Sequence, residues 1–351
     1  MADEKIIPYS STTLLEVQRL VKDPFAFFLN FFQRQINFET DTISFEDVVI
    51  DNRRMAPFVA PNVQAGLNRL EGYNASQYKP AYIKEKDVVD INMPLFRQVG
   101  ETPFTGSLSL NQRRNAVIAY MTEQQVQRIK NRWEWMAAQA IMFGSITIQS
   151  ERYPKCVLDF GRDAGLTLTT NWKAAGANGF NDIKRMRQLS NRLAGTRITK
   201  NFFGADAWDA FCELHKDQLK DLMDTRYRGS ETNFSKLLDG YDGIEYVGVI
   251  KGLNGAGSME VYVNTATYLD DDGNTQYVQD QGSVFGIEEN AVNGVRCFGA
   301  IRDGRANYQA MPIFPKNWVG TEDPFDEFIM HQSAPLMVPM VPNATYYIKA
   351  V

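Results

Sequence analysis

Histidine and cysteine are scarce in this chain: its 351 residues hold two of the first and three of the second. Cys156, Cys212 and Cys297 are odd in number and lack C-x-x-C spacing. That argues against a disulfide framework or a zinc site and fits a reducing compartment. His215 and His331 lie far apart in sequence, and no local pattern marks either as a catalytic base. No apolar run approaches the length that spans a bilayer. The opening MADEKIIPYSS has no apolar stretch of the kind a secretory signal needs, so a soluble protein made in a cytoplasm is expected. Basic tracts are missing too. The 37 Lys and Arg are mixed along the chain with 42 Asp and Glu, giving a net charge of −5. Tight nucleic-acid binding is therefore not expected.

The segments that touch on known chemistry each fail a test of spacing. Gly252 to Gly257 (GLNGAG) is glycine-rich, but it lies between two strand-like runs rather than opening a helix, so it reads as a loop and not a phosphate cradle. Asp270-Asp271-Asp272-Gly273-Asn274 has its glycine too early for a calcium loop, and Gln281 stands where the last carboxylate ligand belongs. An Asp-Gly hairpin turn explains it. Glu288-Glu289 and the pair Asp323 and Asp326 have no accompanying acid–base or metal constellation. There is no nucleophile elbow and no P-loop. No catalytic residue, cofactor site or metal site is expected.

What the sequence does have is a long, uninterrupted helical stretch. From Ser109 to Phe143 there is neither proline nor glycine, and Gly144 follows. Ile118, Met121, Ile129, Trp133, Met136, Ala140 and Phe143 recur at helical spacing, widened by Val126 and Ala137. Ser109 is suited to the N-cap and Gly144 to the position past the end. A continuous helix here is about 50 Å long. The opposite face carries Arg113, Arg114, Glu123, Gln127, Arg128 and Lys130, so the helix is not a membrane span but either a spine against which sheets or neighbouring subunits pack or an ordinary long core helix.

Around it lie three further kinds of sequence. Residues 1–41 read as a polar arm ending in an aromatic cluster, Phe25, Phe27, Phe28, Phe31, Phe32 and Phe38. These rings must be buried, either in the chain's own core or against another copy. Residues 42–92 read as two long antiparallel strands, TISFEDVVI and YKPAYIKEKDVVDI, with an irregular tip around Ala65 to Gln77. Such a hairpin has too little apolar surface for a core and should project from the body. From Asp182 to Leu269 the pattern is helix, strand, helix, strand, strand, an α/β module, with the second helix running from Ala205 to Asp224. The proline-rich C-terminal stretch is strand-like and is expected to return beside the spine helix. Asp224 to Gly229 (DTRYRG) sets two arginines around a tyrosine, a pattern that suits either an exposed loop meeting a partner's carboxylates or a plain helix-end turn.

Several runs resemble tailed-phage major capsid proteins of the lambda type. They are DPFAFFLNFF, PFVAP with YKPAYIKEKDVVD, DTRYRG, RCFGAIRD and above all FPKNWVGTEDPFDEFIMHQSAPLMVP. These islands span about residues 23 to 338. The resemblance implies an α+β fold, the Hong Kong 97 phage-like capsid fold. It would have an N-terminal arm (1–41), an extended β-hairpin loop (42–92), a peripheral domain (93–175 and 285–351) with the spine helix at 109–143, and an α/β axial domain (176–284).

By the same resemblance the chain would be a major head protein that assembles into hexamers and pentamers of an icosahedral shell enclosing double-stranded DNA without binding it specifically. A scaffold protein, a portal and a cement or decoration protein are the implied partners. The virion is the implied location, after synthesis in a host bacterial cytoplasm. Subunit contacts are expected at Phe25, Phe28, Phe31, Phe58, Tyr78, Tyr82, Arg226, Arg228 and Trp318. Some relatives cross-link through a lysine–asparagine bond, and Lys79, Lys84 and Lys86 fall on the expected hairpin, but the lambda type is not expected to do this. The alternatives are a cellular nanocompartment shell of the same fold and an α/β enzyme with a site built from scattered residues.

Overall fold

In the computed structural model the described residues are 8–21, 26–40, 42–48, 73–90, 93, 109–150, 153–216, 243–250, 258–270, 273–320 and 326–351. The first elements are helix α1 (Ser11–Leu20), a 3-10 turn (Phe28–Phe31), and strands β1 (Arg34–Asn37), β2 (Ile43–Val48), β3 (Tyr73–Tyr78) and β4 (Ile83–Val89). Helix α2 (Leu110–Phe143) leads into β5 (Ser145–Ser150), β6 (Tyr153–Asp159) and β7 (Thr167–Thr169). Helix α3 (Gly179–Ala194), β8 (Lys200–Phe203) and α4 (Ala205–Leu214) come next, then β9 (Ile244–Ile250), β10 (Met259–Asn264), β11 (Thr267–Leu269) and β12 (Thr275–Tyr277). The last stretch holds β13 (Ser283–Ile287), α5 (Glu289–Val292), β14 (Val295–Phe298), β15 (Phe314–Val319), β16 (Glu327–Ser333), β17 (Pro335–Val338) and β18 (Thr345–Lys349).

Helix α2 is the predicted spine, and its ends are set by the expected residues. Ser109 and Gln112 form a reciprocal capping box, and Gly144 takes the left-handed conformation (φ 65°) that stops the helix. Its buried stripe contains Ile118, Val126, Ile129, Trp133, Met136, Ala137 and Ala140, but also Thr122 and Gln125.

A six-stranded sheet, in the order β7-β18-β13-β8-β10-β9, lies between two cores. Alternation along its strands sends successive side chains to opposite faces. Phe202, Phe285 and Tyr347 belong to the core that contains α2 and the arm end. Their neighbours Phe203, Val284 and Tyr346 belong to a second core with Trp172, Phe180 and Phe211, under α3 and α4. Both faces are covered, so β13 is buried at every position. This sheet joins strands from distant parts of the chain: β13 and β18 pair with each other, and β13 pairs with β8. The C-terminal strand thus ends in the α/β module's own sheet as well as beside the spine helix, where Tyr347 meets Phe143 at 4.9 Å.

Three expectations need correction. The second hairpin strand is shorter than the sequence pattern implies. β2 pairs with β3 from Ile43↔Tyr78 to Val48↔Tyr73, so Tyr73 to Gln77 are strand and not tip. The chain then breaks at Lys79 to Tyr82, and β4 leaves for a body sheet of order β15-β16-β4. Pro80 removes a ladder donor at that break. Lys84 and Lys86 therefore stand on the body and not on the hairpin. The last of the module's strands expected up to Leu269 is in fact two, β10 and β11, because Asn264 Oδ1 accepts the Ala266 N–H and turns the chain. Helix α4 turns at His215, whose N–H caps onto Phe211 O, rather than running on unbroken to Asp224. Residues 217–242 lie outside the described residues, as do 51–72 and 251–257 with the hairpin tip and the glycine loop.

Candidate assembly surfaces

The end of the arm is built into its own subunit. Phe28 and Phe31 are 1% and 6% exposed, which makes them core residues and not free contact rings. Phe28 lies 5.8 Å from Phe285, and Phe27 lies 5.1 Å from Phe202, which stacks on Phe285 at 4.8 Å. The chain's own core, and not another copy, covers these rings. Polar groups fix the segment at both ends. Glu134 of α2 accepts the Phe28 N–H at 2.6 Å and the Leu29 N–H at 2.9 Å. At the far end, Arg296 Nε donates to Phe32 O at 2.5 Å. Burial pushes the Glu134 carboxyl up to about 7, against the pull of these amides and of Arg296.

Two of the predicted tyrosines tie the hairpin root to the body. Tyr78 donates to Asp159 O at 3.1 Å, and its ring sits 5.4 Å from Phe160. Tyr82 donates to Gln332 Oε1 at 3.1 Å and accepts the Arg302 N–H at 2.8 Å, and burial raises its hydroxyl pKa. These are contacts within one subunit.

The sheet β15-β16-β4 has two unlike faces. Glu327, Ile329 and His331 point toward α2. Glu327 accepts Arg114 Nε at 2.7 Å and Nη2 at 2.6 Å, and Asn317 Nδ2 at 2.8 Å. Gln125 donates to Asp87 Oδ2 at 2.8 Å and to Ile329 O at 3.3 Å, which turns its Oε1 to His331 Nδ1 at 2.6 Å. His331 is wholly buried, and burial lowers its pKa to about 4. The outer face carries Trp318 stacked on Phe328 at 5.4 Å, with Lys86 Nζ 4.0 Å from the Phe328 ring and 5.4 Å from the Trp318 ring. Lys316 sits 5.7 Å from Trp318 and is paired with Asp303 at 2.6 Å, and Val88 beside them is exposed. Trp318 is half-buried on this aromatic and cationic face. Phe25, Phe58, Arg226 and Arg228 lie outside the described residues.

Glu134, Gln125, Glu327 and His331 were not legible as structural anchors from residue type alone. Thr122 and Gln125 left one signal: they occupy stripe positions of α2 where apolar residues are expected, which marks buried polar groups. His215 is packed between Phe180 and Phe211, at 4.2 and 4.9 Å. Among the described residues no helix is long and apolar enough to cross a membrane, and no His, Cys, Asp and Glu group is arranged to hold a metal.

The profile of the phage major capsid protein E family matches residues 10–350. The chain belongs to this family. It is similar to the major capsid protein of Enterobacteria phage P21, 28% identical over 324 residues that cover 88% of this chain and 89% of that one. It is 26% identical to the Escherichia phage lambda major capsid protein over 340 residues, 94% of this chain and 95% of the relative. The crystal structure of a putative capsid protein of an E. coli CFT073 prophage superposes with a TM-score of 0.71 at 21% identity, covering 98% of this chain and 100% of that one. The fold is the Hong Kong 97 phage-like capsid fold, as the lambda-type resemblance implied. As a phage major capsid protein the chain is a structural component of the virion and not an enzyme, and the nanocompartment alternative is not favoured.

Proposed function

We propose that this capsid protein associates with its own copies into hexamers and pentamers that close into an icosahedral shell around double-stranded DNA. The observation that carries this reading is the family match over nearly the whole length, residues 10–350. Head-to-tail contacts that close into rings need no symmetric interface, and many weak contacts give a stable shell by avidity. A net charge of −5 suits a wall that encloses a polyanion without gripping it.

In this reading residues 1–41 are the arm, 42–92 the extended loop, of which only the part up to Tyr78 is hairpin because β4 belongs to the body, 93–175 with 285–351 the peripheral domain, and 176–284 the axial domain. The sheet shared by β13, β18 and β8 makes the last two a continuous body. Trp318, half-buried on the outer sheet face, and Phe25, Phe58, Arg226 and Arg228 are the proposed contacts. A scaffold protein, a portal and a cement protein are the proposed partners, and the host cytoplasm is the proposed place of synthesis. Negative-stain electron microscopy of the protein produced alone and with its neighbouring phage genes tests the reading. Rings or closed polyhedral shells are expected, and a stable monomer under both conditions overturns it.

A further inference from the structure

Charge is mixed along the chain as a whole, but the two helices over the second core segregate it. Ile183 and Met186 of α3 and Ala207, Ala210 and Phe211 of α4 sink into that core. Phe180 meets Phe211 at 4.9 Å, so both helices lie in one layer on one face of the six-stranded sheet. The side of α3 away from the core carries Asn181, Lys184, Arg185, Gln188, Asn191 and Arg192: three cations, three amides and no carboxylate. Asp182, the one acid of the helix, is turned aside and accepts from Trp172 Nε1 at 2.9 Å. The side of α4 away from the core carries Asp206, Asp209 and Glu213, all exposed, and the helix has no basic residue. Lys216 follows only past the turn at His215. Among the described residues no ion pair engages Arg185, Asp206, Asp209 or Glu213, so the acidic face is not neutralised by the basic one within the subunit.

The two faces also match in spacing. Arg185, Gln188 and Arg192 stand at steps of three and four, and so do Asp206, Asp209 and Glu213. Such positions share one side of a helix, and each stripe is about 10 Å long. Laid against each other, the stripes set a guanidinium at each end opposite a carboxylate. Like faces repel, so two copies cannot pair α3 on α3 or α4 on α4 without a penalty. Pairing of unlike faces is what a head-to-tail contact needs, and repeated head-to-tail contacts close into rings. We propose that the α3 face of one subunit docks on the α4 face of a second copy of this chain. This rests on the self-association proposed above and adds which surfaces meet. Each exposed ion pair contributes little by itself, so the contact acts through orientation and rate of encounter and weakens with salt.

The test reverses each face. Arg185→Glu with Arg192→Glu turns the α3 face acidic, and Asp209→Lys with Glu213→Lys turns the α4 face basic. All of these side chains are exposed, so thermal unfolding of the single subunit should stay close to that of the wild type. Rings and shells are counted by electron microscopy, and association is followed by sedimentation velocity. Each reversed protein alone should assemble at least about tenfold less than the wild type, whose own assembly should slow in about 0.5 M chloride. If a reversed subunit unfolds early, the neutral pair Arg185→Gln and Arg192→Gln replaces it, with a severalfold loss expected. An equal mixture of the two reversed proteins, or one chain carrying both reversals, should recover association. Recovery assigns the contact, because a folding defect is not cured by a second one. Reversed proteins that assemble like the wild type, or a doubly reversed chain that stays impaired, overturn it. So does an α3 reversal that leaves assembly intact but lowers salt-sensitive retention of linear duplex DNA, which gives the basic face to nucleic acid. The mixture is read on pairs of subunits in solution, so it decides the contact even if the wild type forms no closed shell.

Discussion

Glu134 Oε1 accepts the backbone N–H of Phe28 at 2.6 Å, so a side chain of the long helix caps the turn that ends the N-terminal arm. The second oxygen takes the Leu29 N–H at 2.9 Å. Glu134→Ala leaves both donors without an acceptor and is expected to cost about 1–3 kcal/mol, read as a lower urea midpoint. An unchanged midpoint would show the cap to be dispensable. The folded carboxyl titrates at about 7, above the ordinary 4.5. The folded state thus binds this proton more tightly than the unfolded chain does. Its contribution is full below pH 4.5 and is lost as pH rises through 7. Glu134→Gln, neutral throughout, should remove that part of the pH dependence.

His331 pulls the other way. Its folded pKa is about 4, below the ordinary 6.5, because the ring is buried. Stability from this group is present above pH 6.5 and is lost as pH falls toward 4. Gln125 spends its amide protons on Asp87 and Ile329 O, so the Nδ1–H of the neutral ring is the donor to Gln125 Oε1. Asparagine places its amide near the Nδ1 position, so His331→Asn should keep the bond and abolish the acid loss. Between pH 4.5 and 6.5 the two groups oppose each other. Glu134→Gln alone should make the protein more acid-sensitive than the wild type, and adding His331→Asn should flatten the curve. Denaturant midpoints measured across pH 4 to 8 would refute this if the single and double variants tracked the wild type.

How much of this was legible in the sequence follows from the range of the forces involved. The long helix was readable because its signals are local: Ser109, Gln112, Gly144 and a stripe of apolar residues at helical spacing. The strand Ile83–Val89 was placed in the hairpin because alternation gives a strand but not its partner. That partner, β16, comes from more than two hundred residues later, with Ile83 opposite Ser333. The arm's phenylalanines announced burial but not whose core would receive them. Nothing local could pair Glu134 with Phe28, or β18 with β13, because those contacts exist only once the chain has closed on itself.

Gly286 has no room for a side chain. A Cβ built there would come 2.2 Å from the ring of Tyr346, its partner across β13 and β18. Tyr346 cannot step aside, since it is fully buried and its hydroxyl is bound to Asn201. Gly286→Ala should cost about 1–3 kcal/mol through overpacking. The double change Gly286→Ala with Tyr346→Phe should not rescue it, because the ring remains. A variant with Leu in place of Tyr346 should rescue it in part, and equal losses with either partner would count against the clash.

Trp318 and Phe328 form a stacked pair on the outer sheet face with Lys86 above them. Trp318→Ala should leave the thermal unfolding of the single subunit nearly unchanged while reducing shell or ring formation at least severalfold by particle counting. Loss of folding with assembly intact among the remaining soluble protein would make this face a structural one.

Arg114 and Glu327 are joined by two hydrogen bonds and are 13% and 5% exposed at their side chains. The pair also anchors the first helix. Arg114 lies 5.1 Å from the Tyr9 ring, and Tyr9 N–H donates at 2.8 Å to Asn317, itself bound to Glu327. Removing one partner strands the other charge in a poorly hydrated place, whereas removing both strands neither. Arg114→Met is therefore expected to cost about 3–5 kcal/mol. Arg114→Met with Glu327→Leu should recover most of that loss, because Asn317 Nδ2 still donates to Phe328 O at 3.1 Å. Proteolysis near Tyr9 offers a second readout. It should rise sharply in the single variant if Arg114 holds the first helix down, and stay low if the pair only steadies β16 against the spine.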